Sequence, residues 1–232
     1  MYEAADLLNR IDHHTAPILI GFGIAMLLQT VWLVDALRIA GSEQRFSIPI
    51  FCTFLWFAHD LGAVIRFDDW FNVYDHWFMK LFWLGLLSAL LLELVFFAQI
   101  LKYGRGELLP SASPVRFAVL VFVGALGTVI AWEYLRSLIG DPLYLASPAP
   151  TMVAYGTFGA ALYIRRGSAI AQTSLMWGCF TAMTVAWWGT SAAFFTDNFR
   201  AWQHLAMGVF AFGCGVAMTA VIARARRREG LG

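Results

Sequence analysis

The chain has 232 residues, of which 60% are hydrophobic and 13% are charged, and its mean hydropathy is +0.67. Soluble domains are on average roughly 45–50% apolar and about 25% charged, so this composition indicates a membrane protein and excludes a sizeable soluble domain. The formal net charge of +1 leaves no strong basic field that would recruit nucleic acid.

Seven long apolar runs follow one another along the chain. A helix needs about 20 mostly apolar residues to cross the hydrocarbon core, and it satisfies its own backbone hydrogen bonds there. The runs predict transmembrane helices over residues 17–37, 48–66, 78–101, 115–136, 149–164, 170–193 and 203–223. The predicted fold class is therefore an all-α polytopic membrane bundle of seven transmembrane helices, forming a single domain over residues 1–232.

Polar segments separate these runs. The N-terminal residues 1–14 carry acids and no short apolar region with a cleavage site, which indicates that no signal peptide is removed. Residues 67–77, after the second run, mix aromatic and acidic side chains and are expected to lie as an amphipathic segment at the membrane interface. Residues 140–150, after the fourth run, contain prolines that are typical of a turn.

Basic residues set the predicted orientation, because cytoplasmic loops are enriched in lysine and arginine. Eleven of the sixteen basic residues fall in alternate loops or at the C-terminal end: Arg38, Arg45, Lys102, Arg105, Arg116, Arg165, Arg166, Arg224, Arg226, Arg227 and Arg228. An odd number of spans places all of these on one side. The predicted topology has the N-terminus outside and the C-terminus in the cytoplasm, in a bacterial inner (cytoplasmic) membrane.

Ionisable residues inside the predicted spans are the candidate catalytic groups, because placing one in lipid is costly. Asp60 lies in the outer half of the second span, Glu93 in the inner half of the third, and Glu133 near the outer end of the fourth. A carboxyl group kept away from water favours its neutral form and can then act as a general acid. The alternative is that these groups only hydrogen-bond between helices.

Aromatic side chains accompany the acids. Asp60 is four residues from Trp56 and three from Phe57, so these side chains share one helical face. Aromatic rings can stabilise a cation through their faces, and generic packing is the alternative explanation for their number. The candidate substrate-binding residues are Trp56, Phe57, His59, Trp83, Trp177, Trp187 and Trp188.

The sequence predicts neither a metal site nor a cofactor. His59 and Asp60 are adjacent in one helix and are expected to point in different directions, so a metal would need distant ligands such as Glu133 or His204. The three cysteines lie in apolar runs and fit no zinc motif. No GxSxG, HExxH or P-loop pattern occurs, and the seventh span has no lysine that could form a retinal Schiff base.

Four segments carry a resemblance to a known family: GFGIAMLLQTVWLVDAL, IPIFCTFLWF, GLLSALLLELVFFAQILKYG and RRGSAIAQTSLMWG. In order and spacing they resemble the small integral membrane terpene cyclases of fungal meroterpenoid and indole-diterpene pathways and their bacterial relatives. The resemblance implies a seven-helix fold and an isomerase or lyase of terpenoid biosynthesis. Its substrate would be a lipophilic linear or prenylated isoprenoid, cyclised after protonation of an epoxide or alkene without metal or diphosphate.

The chain departs from this family at two acidic positions. Family members carry a Trp-Glu pair in the second span and an aspartate in the last span. Here the first position reads Trp56-Phe57, and the second reads Phe212-Gly213-Cys214. Asp60, one turn from Phe57 on the same helical face, is the carboxyl group expected to replace the missing glutamate.

A small seven-helix carrier, or a lipid- or ligand-binding membrane protein without chemistry, is the alternative function. Spans one to three and five to seven permit the 3+1+3 pseudo-repeat that is found in small transporters. Carriers of the sugar-transporter type have a Pro-Gln pair or an equivalent proline kink in their first and fifth spans. This chain has no Pro-Gln dipeptide, and Pro17 and Pro150 lie only where spans begin.

Overall fold

The computed structural model describes residues 2–231, and every regular element in this range is helical. This confirms the prediction of an all-α protein. The α-helices are numbered in chain order as α1 Ala4–His13, α2 Thr15–Glu43, α3 Ile50–Val64, α4 Trp77–Tyr103, α5 Arg105–Leu108, α6 Pro114–Ile139, α7 Pro148–Arg166, α8 Ser174–Phe194 and α9 Trp202–Glu229.

Each predicted span coincides with one of the longer helices, namely α2, α3, α4, α6, α7, α8 and α9 in turn. Within the described range, four of them are long and apolar enough to cross a membrane by length and composition: α2, α4, α6 and α9. The helix α3 is apolar but has only 15 residues, fewer than the roughly 20 that cross a hydrocarbon core without help from neighbours. The chain is therefore an all-helical protein with four candidate membrane-spanning helices.

Local capping explains where several helices begin and end. Pro49 precedes α3, where a missing N–H is tolerated at the start of a helix, so the span predicted from residue 48 begins at Ile50. The side chain of Thr173 accepts a hydrogen bond from the N–H of Met176 at 3.0 Å and caps α8. Gly167, with φ +62°, ends α7 in a left-handed conformation that favours glycine.

The aromatic and acidic segment between α3 and α4 contains a π-helix, Asp69–Val73. Within it Trp70 is fully buried, whereas Asp68 and Asp69 are exposed. Lys80 binds the carboxylate of Asp75, with 2.5 Å between Nζ and Oδ1. Trp70 is thus the buried aromatic residue of the segment, whereas Phe67 and Trp77 are exposed. The position of the segment at the membrane interface stays a prediction.

The contacts of the chain define two compact units. Unit 1 comprises residues 2–36 and 140–231, and in it α9 packs against both α7 and α8. Close approach there depends on glycine, since a methyl group on Gly208 would lie 2.6 Å from Cδ1 of Trp188. Unit 2 comprises residues 37–139, and in it α3 packs against α4 and α6.

Candidate functional site

Three ionisable side chains interact inside unit 2, where α3 packs against α4. Nδ1 of His59 lies 2.5 Å from Oδ1 of Asp60, and the carboxyl group of Asp60 interacts in turn with that of Glu93. All three are buried, with exposed fractions of 4%, 6% and 3% respectively. We call His59, Asp60 and Glu93 the acid cluster.

The contact between His59 and Asp60 corrects one expectation from the sequence. Neighbours in a helix start from different angles on its surface, so these two side chains were expected to point in different directions. In the structure the imidazole of His59 reaches the carboxyl group of Asp60 directly. The interpretation considered only the directions in which the two Cα–Cβ bonds leave the helix, whereas the side-chain torsions of His59 and Asp60 bring their polar atoms together.

Trp132 of α6 packs against the imidazole ring of His59. Its ring is 5.5 Å from the imidazole in an edge-to-face arrangement, which is a favourable geometry for two rings. The indole is itself 3% exposed. Sequence reasoning did not select Trp132, although a tryptophan beside Glu133 inside an apolar span was the available signal.

The acid cluster is able to hold and transfer a proton. Two carboxyl groups in contact, both buried, can share one proton in the hydrogen bond between them. Oε2 of Glu93 has no hydrogen-bond partner among residues 2–231. Buried polar atoms are nearly always hydrogen-bonded, and an exception is often associated with chemistry or binding. The Asp60–Glu93 pair therefore has the features of a proton donor with one buried oxygen that makes no hydrogen bond.

Glu133, the third predicted acid, interacts with basic residues. Its Oε2 lies 2.6 Å from Nη2 of Arg66 and 3.4 Å from Nη2 of Arg136. About a third of its side chain is exposed, 32%. A carboxylate between two guanidinium groups is stabilised in its charged form, so this arrangement favours an ion-pairing role and does not favour proton donation.

The predicted aromatic residues of unit 2 lie in different surroundings. Phe57 of α3 meets the ring of Phe97 in α4 edge-on, with 5.1 Å between the ring centroids, while Trp56 is half-buried on the same helix. Trp83 donates a hydrogen bond from Nε1 to the carbonyl of Val64 at 3.1 Å. Phe57 is therefore part of the α3–α4 contact, whereas Trp83 binds the end of α3.

The three tryptophans predicted in the sixth span all belong to unit 1. Trp177 donates from Nε1 to Oε1 of Gln172 at 3.2 Å, and Trp188 donates to the carbonyl of His204 at 2.8 Å. Trp187 meets Phe22 edge-on, with 4.6 Å between ring centroids. Packing within unit 1 accounts for these contacts without a ligand.

No group of three His, Cys, Asp or Glu side chains is placed to hold a metal ion in the part of the chain that the structure describes. Comparisons of the chain with protein-family models, with curated proteins and with solved structures find no match. The acid cluster and its aromatic neighbours are therefore the basis for assigning a function.

Proposed function

We propose that this chain is a membrane-embedded enzyme that uses its acid cluster to protonate a linear or prenylated isoprenoid, as the integral membrane terpene cyclases that it resembles do. The observation that carries the proposal is the buried contact between Asp60 and Glu93. The substrate class is inferred from the family resemblance and from the aromatic side chains beside the acids.

In this proposal, the Asp60–Glu93 pair donates a proton to an epoxide oxygen or a terminal alkene carbon. A C–O or C–C π bond breaks, a carbocation forms, and a neighbouring double bond attacks it to close a ring. The carboxylate left behind accepts the proton that is released when the last double bond forms. The reaction consumes no net proton and is an isomerisation, so it needs no metal or redox partner.

The residues around the pair have separate roles in the proposed reaction. His59 positions the carboxyl group of Asp60 through their 2.5 Å contact. Phe57, which is half-buried on the same helical face as Asp60, is proposed to stabilise the carbocation through its ring. Glu133 is proposed to be structural, because Arg66 and Arg136 already neutralise it.

We also propose that all seven long helices cross a bacterial inner membrane, with the N-terminus outside. The distribution of basic residues supports this topology, since eleven of the sixteen fall on one predicted side. The shorter helix α3 packs against α4 and α6. A helix of its length is suited to an interior position, where neighbours and not lipid surround its ends.

The proposed reaction is tested by supplying the full chain, purified in detergent, with linear and prenylated isoprenoid epoxides and measuring cyclised products by mass spectrometry. Asp60→Asn keeps the shape of the side chain but removes its carboxyl proton, so turnover should fall about 10²-fold or more. Glu93→Gln should also lower turnover. Glu133→Gln is the matched control, and its turnover per folded molecule should remain close to that of the unaltered chain.

Activity that persists in both Asp60→Asn and Glu93→Gln would refute acid catalysis by this pair. Loss only in Glu93→Gln would move the proton donor from α3 to α4. Tight binding of an isoprenoid without any product, in the unaltered chain, would favour the ligand-binding or carrier alternative.

A further inference from the structure

A shallow, largely open cavity of about 510 Å³ lies within unit 1, where the end of α9 meets the beginning of α8. Small-molecule sites typically have volumes of roughly 300–1,000 Å³, so the cavity is large enough for a polar headgroup. It is lined by Ser174, Ala223, Arg226, Arg227, Gly230 and Leu231. None of these residues belongs to the acid cluster, so the cavity is a separate feature.

Two arginine side chains give the cavity a positive charge. Nη1 of Arg226 donates to the carbonyl of Gln172 at 3.1 Å, which ties this side chain to the loop before α8. Nε of Arg227 donates to the carbonyl of Ala223 at 3.2 Å, which holds the base of its guanidinium group along α9. The planar guanidinium group matches the geometry of phosphate oxygens and binds them by charge-assisted hydrogen bonds.

The beginning of α8 adds to this positive potential. Ser174 is the first residue of a helix that extends for 21 residues. Thr173 already accepts the N–H of Met176, so the N–H groups of Ser174 and Leu175 are the ones left without a partner within the helix. The helix dipole also favours an anion at this end. The nearby Glu229 is held by the loop before α8, where its Oε2 accepts a hydrogen bond from the N–H of Ala169 at 3.1 Å.

The position of the cavity along α9 indicates the environment of its ligand. The helix is apolar enough to cross a membrane and becomes basic only from Arg224 onwards. On the neighbouring helix, Leu175 is 51% exposed beside Ser174, which provides an apolar surface next to the polar cavity. Arginine clusters that directly follow a membrane-spanning segment bind anionic headgroups.

We infer that this cavity binds a phosphate group, held by Arg226, Arg227 and the beginning of α8. The phosphate belongs either to the headgroup of a membrane lipid or to a free phosphate ion. The inference rests on the cavity, its two arginines and its position, and it is independent of the function proposed for the acid cluster.

The test measures ligand binding to the full chain in detergent by native mass spectrometry. The probes are dioleoylphosphatidylglycerol, dioleoylglycerol, which lacks phosphate, and inorganic phosphate. Arg226→Gln with Arg227→Gln should weaken binding of the phospholipid about tenfold or more, because two charge-assisted hydrogen-bonding groups are lost. The matched control, Arg224→Gln with Arg228→Gln, removes the same charge from exposed positions outside the cavity and should change affinity by less than about threefold.

A second variant covers the possibility that losing the Arg226–Gln172 contact disturbs folding. Ala223→Leu places a larger side chain in the cavity without altering its charge, and it should also weaken phospholipid binding. Preference for the phospholipid over inorganic phosphate would assign the site to a lipid headgroup, whereas comparable affinities would assign it to a free phosphate ion. The inference is overturned if dioleoylglycerol binds as well as the phospholipid, or if the control pair weakens binding as much as the cavity pair.

Discussion

The contact between α2 and α8 inside unit 1 can be tested at Gly21. A methyl group on this glycine would lie 1.9 Å from Oγ1 and 2.9 Å from Cβ of Thr190. Both distances are far below van der Waals contact. Thr190 is buried and its β-branched side chain is stiff, so a small side-chain movement cannot relieve the overlap. In Gly21→Ala the two helices must therefore move apart.

Gly23, two residues further along α2, is the matched control, because a methyl group there would meet nothing within 4 Å. Both substitutions gain the same roughly 0.5–1 kcal/mol of helix propensity. That gain cancels in the comparison, so the variants should differ by the overpacking term alone, about 1–3 kcal/mol in the free energy of unfolding. Denaturant unfolding of the full chain in one detergent, followed by tryptophan fluorescence, measures this difference.

A double variant connects the effect to the named contact. Thr190→Ala removes Oγ1 but keeps Cβ, so Gly21→Ala combined with Thr190→Ala should recover part of the lost stability. The interaction energy of the double-mutant cycle should therefore be favourable. Equal stabilities of Gly21→Ala and Gly23→Ala would show that α2 and α8 do not pack as described.

Two further predictions concern the N-terminal segment and the topology. The hydroxyl of Tyr2 donates to the carboxylate of Asp141 and accepts from the N–H of Leu143, and burial together with that carboxylate raises the pKa of Tyr2. A raised tyrosine pKa stabilises the fold below about pH 10 and loses that contribution as the pH rises. Tyr2→Phe should therefore cost about 1–2 kcal/mol of unfolding free energy at pH 8 and less at pH 10.5, whereas a pH-independent difference would contradict the assignment. For the topology, a tag after the C-terminus should be shielded from impermeant reagents in right-side-out vesicles and one before Asp12 should react, and both tags on one side would contradict seven crossings.

The positions of the helices could be predicted because apolar runs of this length have few alternatives in a membrane. All seven predicted spans coincide with helices. Their ends were less predictable, since single residues decide them. The predicted start of the sixth span at residue 170 moved to Ser174 because Thr173 caps the helix, and the second ended at Val64 instead of residue 66.

The buried acidic residues could be identified from the sequence, but the contact between the carboxyl groups of Asp60 and Glu93 could not be predicted from it. Counting residues from the shared outer loop assigned Asp60 and Glu93 to opposite halves of the bundle. That count assumes that α3 and α4 start from the same level, and the intervening residues 65–76 include a π-helix and a buried Trp70. The observed interaction of the two carboxyl groups places them at one depth, so the predicted separation is wrong.

The register between α3 and α4 determines which residue of α3 meets the carboxyl group of Glu93. Phe57 meets Phe97, while Asp60 meets Glu93. A step of three residues along α3 is thus matched by a step of four in the opposite direction along α4, as antiparallel helices require. The contact consists of an aromatic layer and, one turn away, an acidic layer. A glutamate at position 57 would meet the ring of Phe97, so in this chain the carboxyl partner on α4 is available only to Asp60.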